Sequence, residues 1–272
     1  MEQQFTAEEI AQAVESPLVS YLGTGAFGET WRVQEADRDA AYKIIYREDA
    51  SSERLRREIQ SYRRVASANV VRLDDAFPLT VRGTQYATLA FEYIGGGDLA
   101  AAIVKGRPTP GQLVDLASGL LTGLGALHGA DLLHRDLKPA NIALRGGDYS
   151  HPVILDLGLA KLLDVESITR YPQRIGTPLY MAPEQLEGSR AMRASDLWAV
   201  GAVLFEAGTG MHPFLAPGEL PTLEDFFERL KQKPDIPDVF PQEVSSLISR
   251  CLSYAIYKRG TVEKAITRLK GE

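Results

Sequence analysis

Cysteine is almost missing from this 272-residue sequence, where Cys251 stands alone. One thiol forms no internal disulfide and supplies no cysteine-based zinc site. Cys251 reads as a small apolar core residue on a helix, in a chain kept in a reducing, cytoplasmic compartment. Long apolar runs are missing too. The longest candidate, near Leu113 to Leu133, carries Asp115, His128 and several glycines, and nothing approaches the roughly 20 residues of a membrane span. The opening Met1-Glu2-Gln3-Gln4 is acidic and polar, unlike a signal peptide. Positive charge is not in excess: 30 basic against 36 acidic residues leave a net charge of −6, which argues against a nucleic-acid partner. There are no internal repeats and no low-complexity tracts. What remains is an ordinary globular composition, 44% hydrophobic, at a length suited to one large domain or two small lobes.

Along the chain, Thr6-Ala7-Glu8-Glu9 has the pattern of a capping box and predicts a short helix. From Val19 to about Phe91 the sequence reads mostly as strands, with β-rich runs at Leu18 to Leu22, Thr30 to Val33 and Ala40 to Tyr46. One helix interrupts them, from about Ser52 to Val65, with Leu55, Ile59 and Tyr62 on one face. After Gly95 the pattern turns helical. Thr109-Pro110-Gly111-Gln112 opens a helix whose stripe is Leu113, Leu116, Leu120, Leu124 and Leu127. Ser195 to Glu206 is apolar nearly all round, as in a buried helix. Further helices are expected at Leu223 to Lys231, Gln242 to Tyr254 and Val262 to Leu269. The expectation is an α+β protein of two lobes. An extension covers 1–17, a β-rich first lobe with one key helix 18–94, and a mainly helical second lobe 95–272. The hinge falls near Glu92 to Gly97, and a cleft between lobes is a common ligand site.

Gly23-Thr24-Gly25-Ala26-Phe27-Gly28 spells G-x-G-x-x-G, whose glycines let a backbone approach phosphate. In a dinucleotide fold such a loop opens a helix, with an acidic residue about 20 positions on. Asp49 has that spacing, but the residues after Gly28 read as a strand. The P-loop pattern matches at Gly23, Gly28 and Thr30, yet Glu29 stands where it needs lysine, and a carboxylate there repels phosphate.

Three downstream blocks are more specific. His134-Arg135-Asp136-Leu137-Lys138-Pro139-Ala140-Asn141 is followed by Asp156-Leu157-Gly158, then by Gly176-Thr177-Pro178-Leu179-Tyr180-Met181-Ala182-Pro183-Glu184. With the glycine loop and Ala41-Tyr42-Lys43, their order and spacing resemble the signature set of eukaryotic-like serine/threonine protein kinases. The likeness runs from about Val19 to Leu269, and short forms such as Phe27-Gly28-Glu29-Thr30 are those of bacterial members.

The resemblance implies ATP as substrate, magnesium (or manganese) as the metal, and a protein partner bearing serine or threonine. It implies that Lys43 grips the α- and β-phosphates, paired with a carboxylate on the interrupting helix. Glu58 is the first choice for that carboxylate and Glu53 the second. Asp136 accepts the substrate hydroxyl's proton, Lys138 reaches the γ-phosphate, and Asn141 and Asp156 hold the metal. The nucleotide is enclosed by Leu22, the loop from Gly23 to Gly28, Thr30, Ala41, Phe91, Glu92, Ile94 and Ala143, with Asp98 on the ribose. Asp196 anchors the catalytic loop, Glu184 pairs with Arg259, and Thr177 hydrogen-bonds Asp136 and Lys138. His134 reads as a packed residue rather than a catalyst. Arg135 calls for an anionic partner, and Ser167 or Thr169 in the activation loop, once phosphorylated, would supply it. Three positions depart from the usual pattern: Leu157 in the metal motif, Thr30 above adenine and Ala143 beneath it. Two other classes compete with this one. A nucleotide-binding pseudokinase scaffold conflicts with the filled catalytic positions. A small-molecule kinase of related fold conflicts with the Gly-Thr-Pro…Ala-Pro-Glu segment. The sequence leaves oligomeric state open.

Overall fold

In the computed structural model, residues 3–25, 28–46, 53–155, 178–219 and 221–271 are described, apart from the side chains at 54, 55, 57, 58, 61 and 178. The chain divides into two compact units. The first takes the described residues up to Ala66 together with Val71–Tyr93; the second takes Ser67–Val70 and the described residues from Ile94 onward.

The first unit opens with helix α1 (Ala7–Ala13). Its capping box is reciprocal: the Thr6 hydroxyl accepts the Glu9 N–H at 3.3 Å, and the Glu9 carboxylate accepts the Thr6 N–H at 2.9 Å. Strands β1 (Val19–Gly25), β2 (Gly28–Gln34) and β3 (Asp39–Ile45) follow, then helix α2 (Glu53–Tyr62), then β4 (Leu73–Val81) and β5 (Thr84–Glu92). They form one antiparallel sheet in the order β1-β2-β3-β5-β4.

Register assigns the faces, because directly opposed residues point the same way and neighbours along a strand alternate. Trp31 opposes Tyr42, and Glu29 opposes Ile44. Their face carries a core of Phe5, Ile10, Trp31, Val33, Ile44, Leu79 and Val81. Two of those seven come from the segment before β1, so α1 and the residues leading into it are part of this lobe's core. The opposite face carries Thr30 opposed to Lys43, and Ala41 opposed to Phe91. Helix α2 ends at Tyr62, whose buried ring meets Phe91 edge-on at 5.9 Å and whose hydroxyl donates to the Val71 carbonyl.

The second unit begins with helices α3 (Leu99–Lys105) and α4 (Pro110–Gly129). Thr109 and Gln112 form a second reciprocal box, with Pro110 at the first helical position. The stripe Leu113, Leu116, Leu120, Leu124 and Leu127 is fully buried. A small hairpin follows, β6 (Ile142–Leu144) with β7 (Pro152–Ile154). Ser67–Val70 joins this unit: Val70 bridges Ile154, and the Asn69 amide donates to the Pro152 carbonyl at 2.8 Å. The glycine run before α3 docks on the hairpin, with Gly97 and Gly95 carbonyls accepting the Leu144 and Gly146 N–H groups. Gly96 has φ +126°, and a Cβ there would lie 2.2 Å from the Leu144 carbonyl oxygen, so only glycine fits.

The remaining helices are α5 (Pro183–Leu186), α6 (Arg193–Thr209), α7 (Leu223–Leu230), α8 (Gln242–Cys251), α9 (Ile256–Arg259) and α10 (Val262–Leu269). Helix α6 is buried on all sides from Ser195 to Phe205. Cys251 is fully buried, and burial pushes its thiol up to about 12, as an inert core residue requires. No helix among the described residues is long and apolar enough to cross a membrane.

One ion pair ties these helices together. Arg259 grips Glu184 with both terminal nitrogens, at 2.7 and 3.0 Å. Its other donors reach the Ser253, Ala194 and Tyr254 carbonyls, and its guanidinium lies 4.9 Å from the Trp198 ring centroid. Burial alone would raise the Glu184 carboxyl, but hydrogen bonds from Arg259 and Ser195 hold it below its ordinary value. Both partners are buried, so removing one strands the other. Arg259→Ala should therefore cost about 3–5 kcal/mol in denaturant unfolding. Arg259→Lys should recover little of that, because an ammonium cannot make the two-pronged contact.

Candidate functional site

The first unit carries the glycine loop and Lys43. Strands β1 and β2 meet through Gly25 opposite Gly28. The Thr24 hydroxyl donates to the Gly28 carbonyl at 3.3 Å, linking the two arms. Gly28 is seated so close to β3 that a Cβ would lie 1.9 Å from the Ile44 carbonyl oxygen. Thr30 and Lys43 sit opposite each other one step further along, on the face that also carries Ala41 and Phe91. Four of the residues expected around the nucleotide thus share one side of the sheet. Gly23 opposes Thr30 across β1, while Leu22, at a register irregularity, is exposed. Glu92 accepts the Arg72 N–H at 3.0 Å.

Glu29, the residue that breaks the P-loop pattern, lies elsewhere. Its side chain does not line the loop's phosphate side. It is fully buried on the opposite face, where it accepts hydrogen bonds from the Gln4 and Phe5 backbone N–H groups and from the Trp31 indole. Period-two alternation after Gly28 sends it there.

The second unit carries the segment from His134 to Asn141. Asp196 on α6 is its anchor: one carboxylate oxygen accepts the His134 N–H at 3.0 Å and the other the Arg135 N–H at 2.9 Å. The His128 Nε2, from the end of α4, bonds the same carboxylate at 2.9 Å. Arg135 is thereby held at φ +67°, a left-handed conformation costly for a residue with a side chain. The His134 Nε2 donates to the Leu155 carbonyl at 2.8 Å, so its Nδ1 is the acceptor for the Asp136 N–H at 3.3 Å. Both ring nitrogens are spent on structure.

Asp136, Lys138 and Asn141 converge. The Lys138 ammonium lies 3.3 Å from the Asp136 carboxylate. The Asn141 amide nitrogen donates to the Asp136 backbone carbonyl at 2.8 Å and to its carboxylate at 3.3 Å. The side chains of Lys138 and Asp136 are 27% and 15% exposed, so a substrate has access to them. A nitrogen surrounded by two oxygens fixes which way the amide points. The Asn141 oxygen is therefore the end available to a metal, and a hard oxygen donor suits magnesium. The Asn141 carbonyl also accepts the Leu155 N–H at 2.9 Å, next to Asp156 in sequence.

Asp98 caps α3, its carboxylate accepting the Ala101 N–H at 2.7 Å. It also forms a backbone bridge to Ala143, which is buried in β6. Ile94 is half-buried. Ala26, Phe27, Asp156, Ser167, Thr169, Thr177 and the side chain of Glu58 lie outside the described residues.

A polar cluster that the sequence reading missed supports the segment before Glu184. The Tyr180 hydroxyl donates to the Glu206 carboxylate at 2.5 Å. Burial pushes both groups up, and the Tyr180 bond partly restrains Glu206. The His212 Nε2 donates to the Leu179 carbonyl at 3.0 Å, and its Nδ1 accepts the Phe214 N–H at 3.3 Å. The ring also packs against Tyr180, Phe214 and Phe226. Burial lowers its pKa to about 4, against a smaller upward pull from the Leu179 carbonyl. A glutamate on an all-apolar helix and a histidine interrupting the α4 stripe were the available signals for Glu206 and His128.

Comparison with known proteins adds independent support. The family model described as protein kinase domain matches residues 17–268. The chain is 35% identical over 243 residues to a probable serine/threonine-protein kinase, PkwA, of Thermomonospora curvata, covering 80% of this chain and 32% of that protein. It is 34% identical over 251 residues to the serine/threonine-protein kinase PkaA of Streptomyces coelicolor, covering 85% and 45%. A third relative, PkaB of the same organism, is 32% identical over 260 residues, covering 92% and 61%. The chain thus spans less than two thirds of the length of these relatives. Its fold superposes on the crystal structure of Rad53 1-466 in complex with AMP-PNP with a TM-score of 0.75 at 23% identity, covering 92% of this chain and 63% of that one.

The His212 cluster makes stability sensitive to acid. Between pH 6.5, the ordinary value, and about 4, the unfolded chain binds a proton that the folded chain refuses. Stability therefore falls as pH drops through that window, by up to about 3 kcal/mol. His212→Asn should show a shallower loss of unfolding free energy over the same range. Equal slopes for variant and wild type would contradict this.

Proposed function

Because this chain belongs to the protein kinase family, we propose that it transfers the γ-phosphoryl group of ATP to serine or threonine hydroxyls of a protein. The observation carrying this reading is the convergence of Asp136, Lys138 and Asn141 on one partly open spot. Phosphoryl transfer asks mainly for positioning and charge neutralisation, and this trio supplies both.

In this reading Lys43 holds the α- and β-phosphates, paired with Glu58, while the glycine loop lays its backbone against the triphosphate. The first unit offers adenine Phe91, Ala41 and Thr30, with Leu22 at its margin and Glu92 at its polar edge, and the second unit offers it Ala143 and Ile94, with Asp98 toward ribose. Asp136 takes the proton from the substrate hydroxyl and orients that oxygen in line with the γ-phosphorus. Lys138 offsets the negative charge that grows on the transferred group. Asn141 and Asp156 would hold magnesium, which when bound neutralises the phosphate oxygens. Lys138, at the position that serine/threonine kinases fill with lysine, favours aliphatic hydroxyls over tyrosine. Supply of ATP places the reaction in the cytoplasm.

The first test is Asp136→Asn, which keeps shape but removes the base. It should lower kcat by about a hundredfold or more, with AMP-PNP affinity nearly unchanged. Full transfer activity in that variant would reject the role, and phosphotyrosine as the main product would reject the hydroxyl preference. Regulation follows the same logic: Ser167 or Thr169 is autophosphorylated and docks on Arg135. Mass spectrometry of active protein should find one of them modified, and an active, unmodified loop would exclude the mechanism.

A further inference from the structure

The family match begins at residue 17, yet the residues before it are built into the first unit. Phe5 and Ile10 are buried at 2% and 0% exposure. Phe5 meets Tyr46 and Tyr86 edge-on, at 5.8 and 5.2 Å. Glu9 forms a two-pronged ion pair with Arg82, in the turn between β4 and β5. Nothing in the kinase resemblance explains what this segment is for.

Its most telling contact is with Glu29. Among the described residues of the first unit, Glu29 is the one charged side chain that is fully buried. A carboxylate out of water needs donors around it. Three hydrogen-bond this one, the Gln4 and Phe5 N–H groups on Oε1 and the Trp31 Nε1–H on Oε2 at 3.0 Å, and the Tyr46 hydroxyl faces it as well. Two of the three come from the segment outside the family match.

Glu29 also adjoins the part of the sheet that the proposed chemistry uses. It directly follows Gly28, which lies so close to β3 that no Cβ would fit. It opposes Thr24, whose hydroxyl holds the Gly28 carbonyl. It directly precedes Thr30, which shares its face with Lys43. Where Glu29 sits on one face therefore decides where Gly28 and Thr30 sit relative to Lys43 on the other. Without its two backbone donors, Oε1 must find another, either water or the Tyr46 hydroxyl that faces it. In both cases the strand that carries Glu29 shifts.

We propose that Glu29 is a positioning residue for the glycine loop and that the backbone of Gln4 and Phe5 is its ligand in cis, so that the N-terminal segment sets the loop's hold on a nucleoside triphosphate. The inference rests on the kinase reading above and adds to it a part of the chain that lies outside the family match.

The test separates phosphate grip from general damage by using two probes, AMP-PNP and adenosine, on the full chain. Gln4→Pro removes one donor at an exposed position, and Glu29→Gln removes the charge while keeping the shape. Each should weaken AMP-PNP binding and raise the KM for ATP about three- to tenfold, the worth of one hydrogen bond. Adenosine affinity, and kcat at saturating ATP, should stay within about twofold. The double variant should lose no more than the weaker-binding single one, because both act through one contact. Equal losses for AMP-PNP and adenosine would reduce Glu29 to a core residue and overturn the proposal. So would unchanged AMP-PNP affinity, or additive effects. A wild-type chain that binds adenosine and AMP-PNP but transfers no phosphate would sink the kinase reading and leave this inference standing. A wild type that binds neither would sink both.

Discussion

The buried carboxylate of Asp196 is the contact on which the candidate site depends. The segment from His134 to Asn141 has little regular structure of its own, only a single turn at Pro139–Asn141. Its shape must be imposed from outside. Helix α6 is the natural source, being buried on every side from Ser195 to Phe205 and so among the least movable elements of the second unit. Asp196 sits in its first turn and takes two consecutive backbone N–H groups, one on each oxygen. That grip holds Arg135 in a left-handed conformation that would otherwise cost about 1–2 kcal/mol. The reversal it enforces turns Asp136 toward Lys138 and Asn141. His128 completes the arrangement by occupying the same carboxylate from the end of α4, and a carboxylate with three donors is one that can stay buried.

Much of this was legible in the sequence, for reasons that differ between elements. Capping boxes at Thr6 and Thr109 are local signals, readable from four residues, and both helices begin where those signals lie. The leucine stripe of α4 is likewise a matter of spacing, and all five leucines are buried. Helix α8 ends at Cys251, short of the Tyr254 expected, and α2 stops at Tyr62 rather than Val65. Ends are set by what the last turn packs against, which periodicity does not report. Asp136, Lys138 and Asn141 lie within six residues of one another, so their motif was visible as a block.

The contacts the sequence hid are those between distant residues. His128 is 68 positions from Asp196, and Glu29 is 24 and 25 positions from the N–H groups it binds. In the sequence Glu29 served only to break the P-loop pattern, and its place in the fold follows from its strand's alternation. Once Gly28 is pressed against β3, the next side chain points away from the Lys43 face. A fully buried glutamate also predicts a partner, and no sequence rule says that the partner is the backbone of a segment before the first strand. The same logic applies to Glu206. A carboxylate on a helix that is apolar all round is a conflict until Tyr180 is brought to it by the fold.

Two histidines show how polar groups are made to serve shape rather than reaction. In both His134 and His212, Nε2 donates to a distant carbonyl while Nδ1 accepts the N–H of the residue two positions on. One tautomer satisfies both bonds in each case, and a doubly protonated ring would lose the second bond. The device fastens a turn to a neighbouring strand or loop. In His134 it also fixes the peptide of Asp136, the group proposed to meet the substrate hydroxyl. A histidine two residues from the proposed acceptor looks like a base, but both nitrogens of this one are already hydrogen-bonded. That leaves the carboxylate of Asp136 as the proposed acceptor, and its neighbours Lys138 and Asn141 keep it oriented rather than neutralised by a bidentate cation.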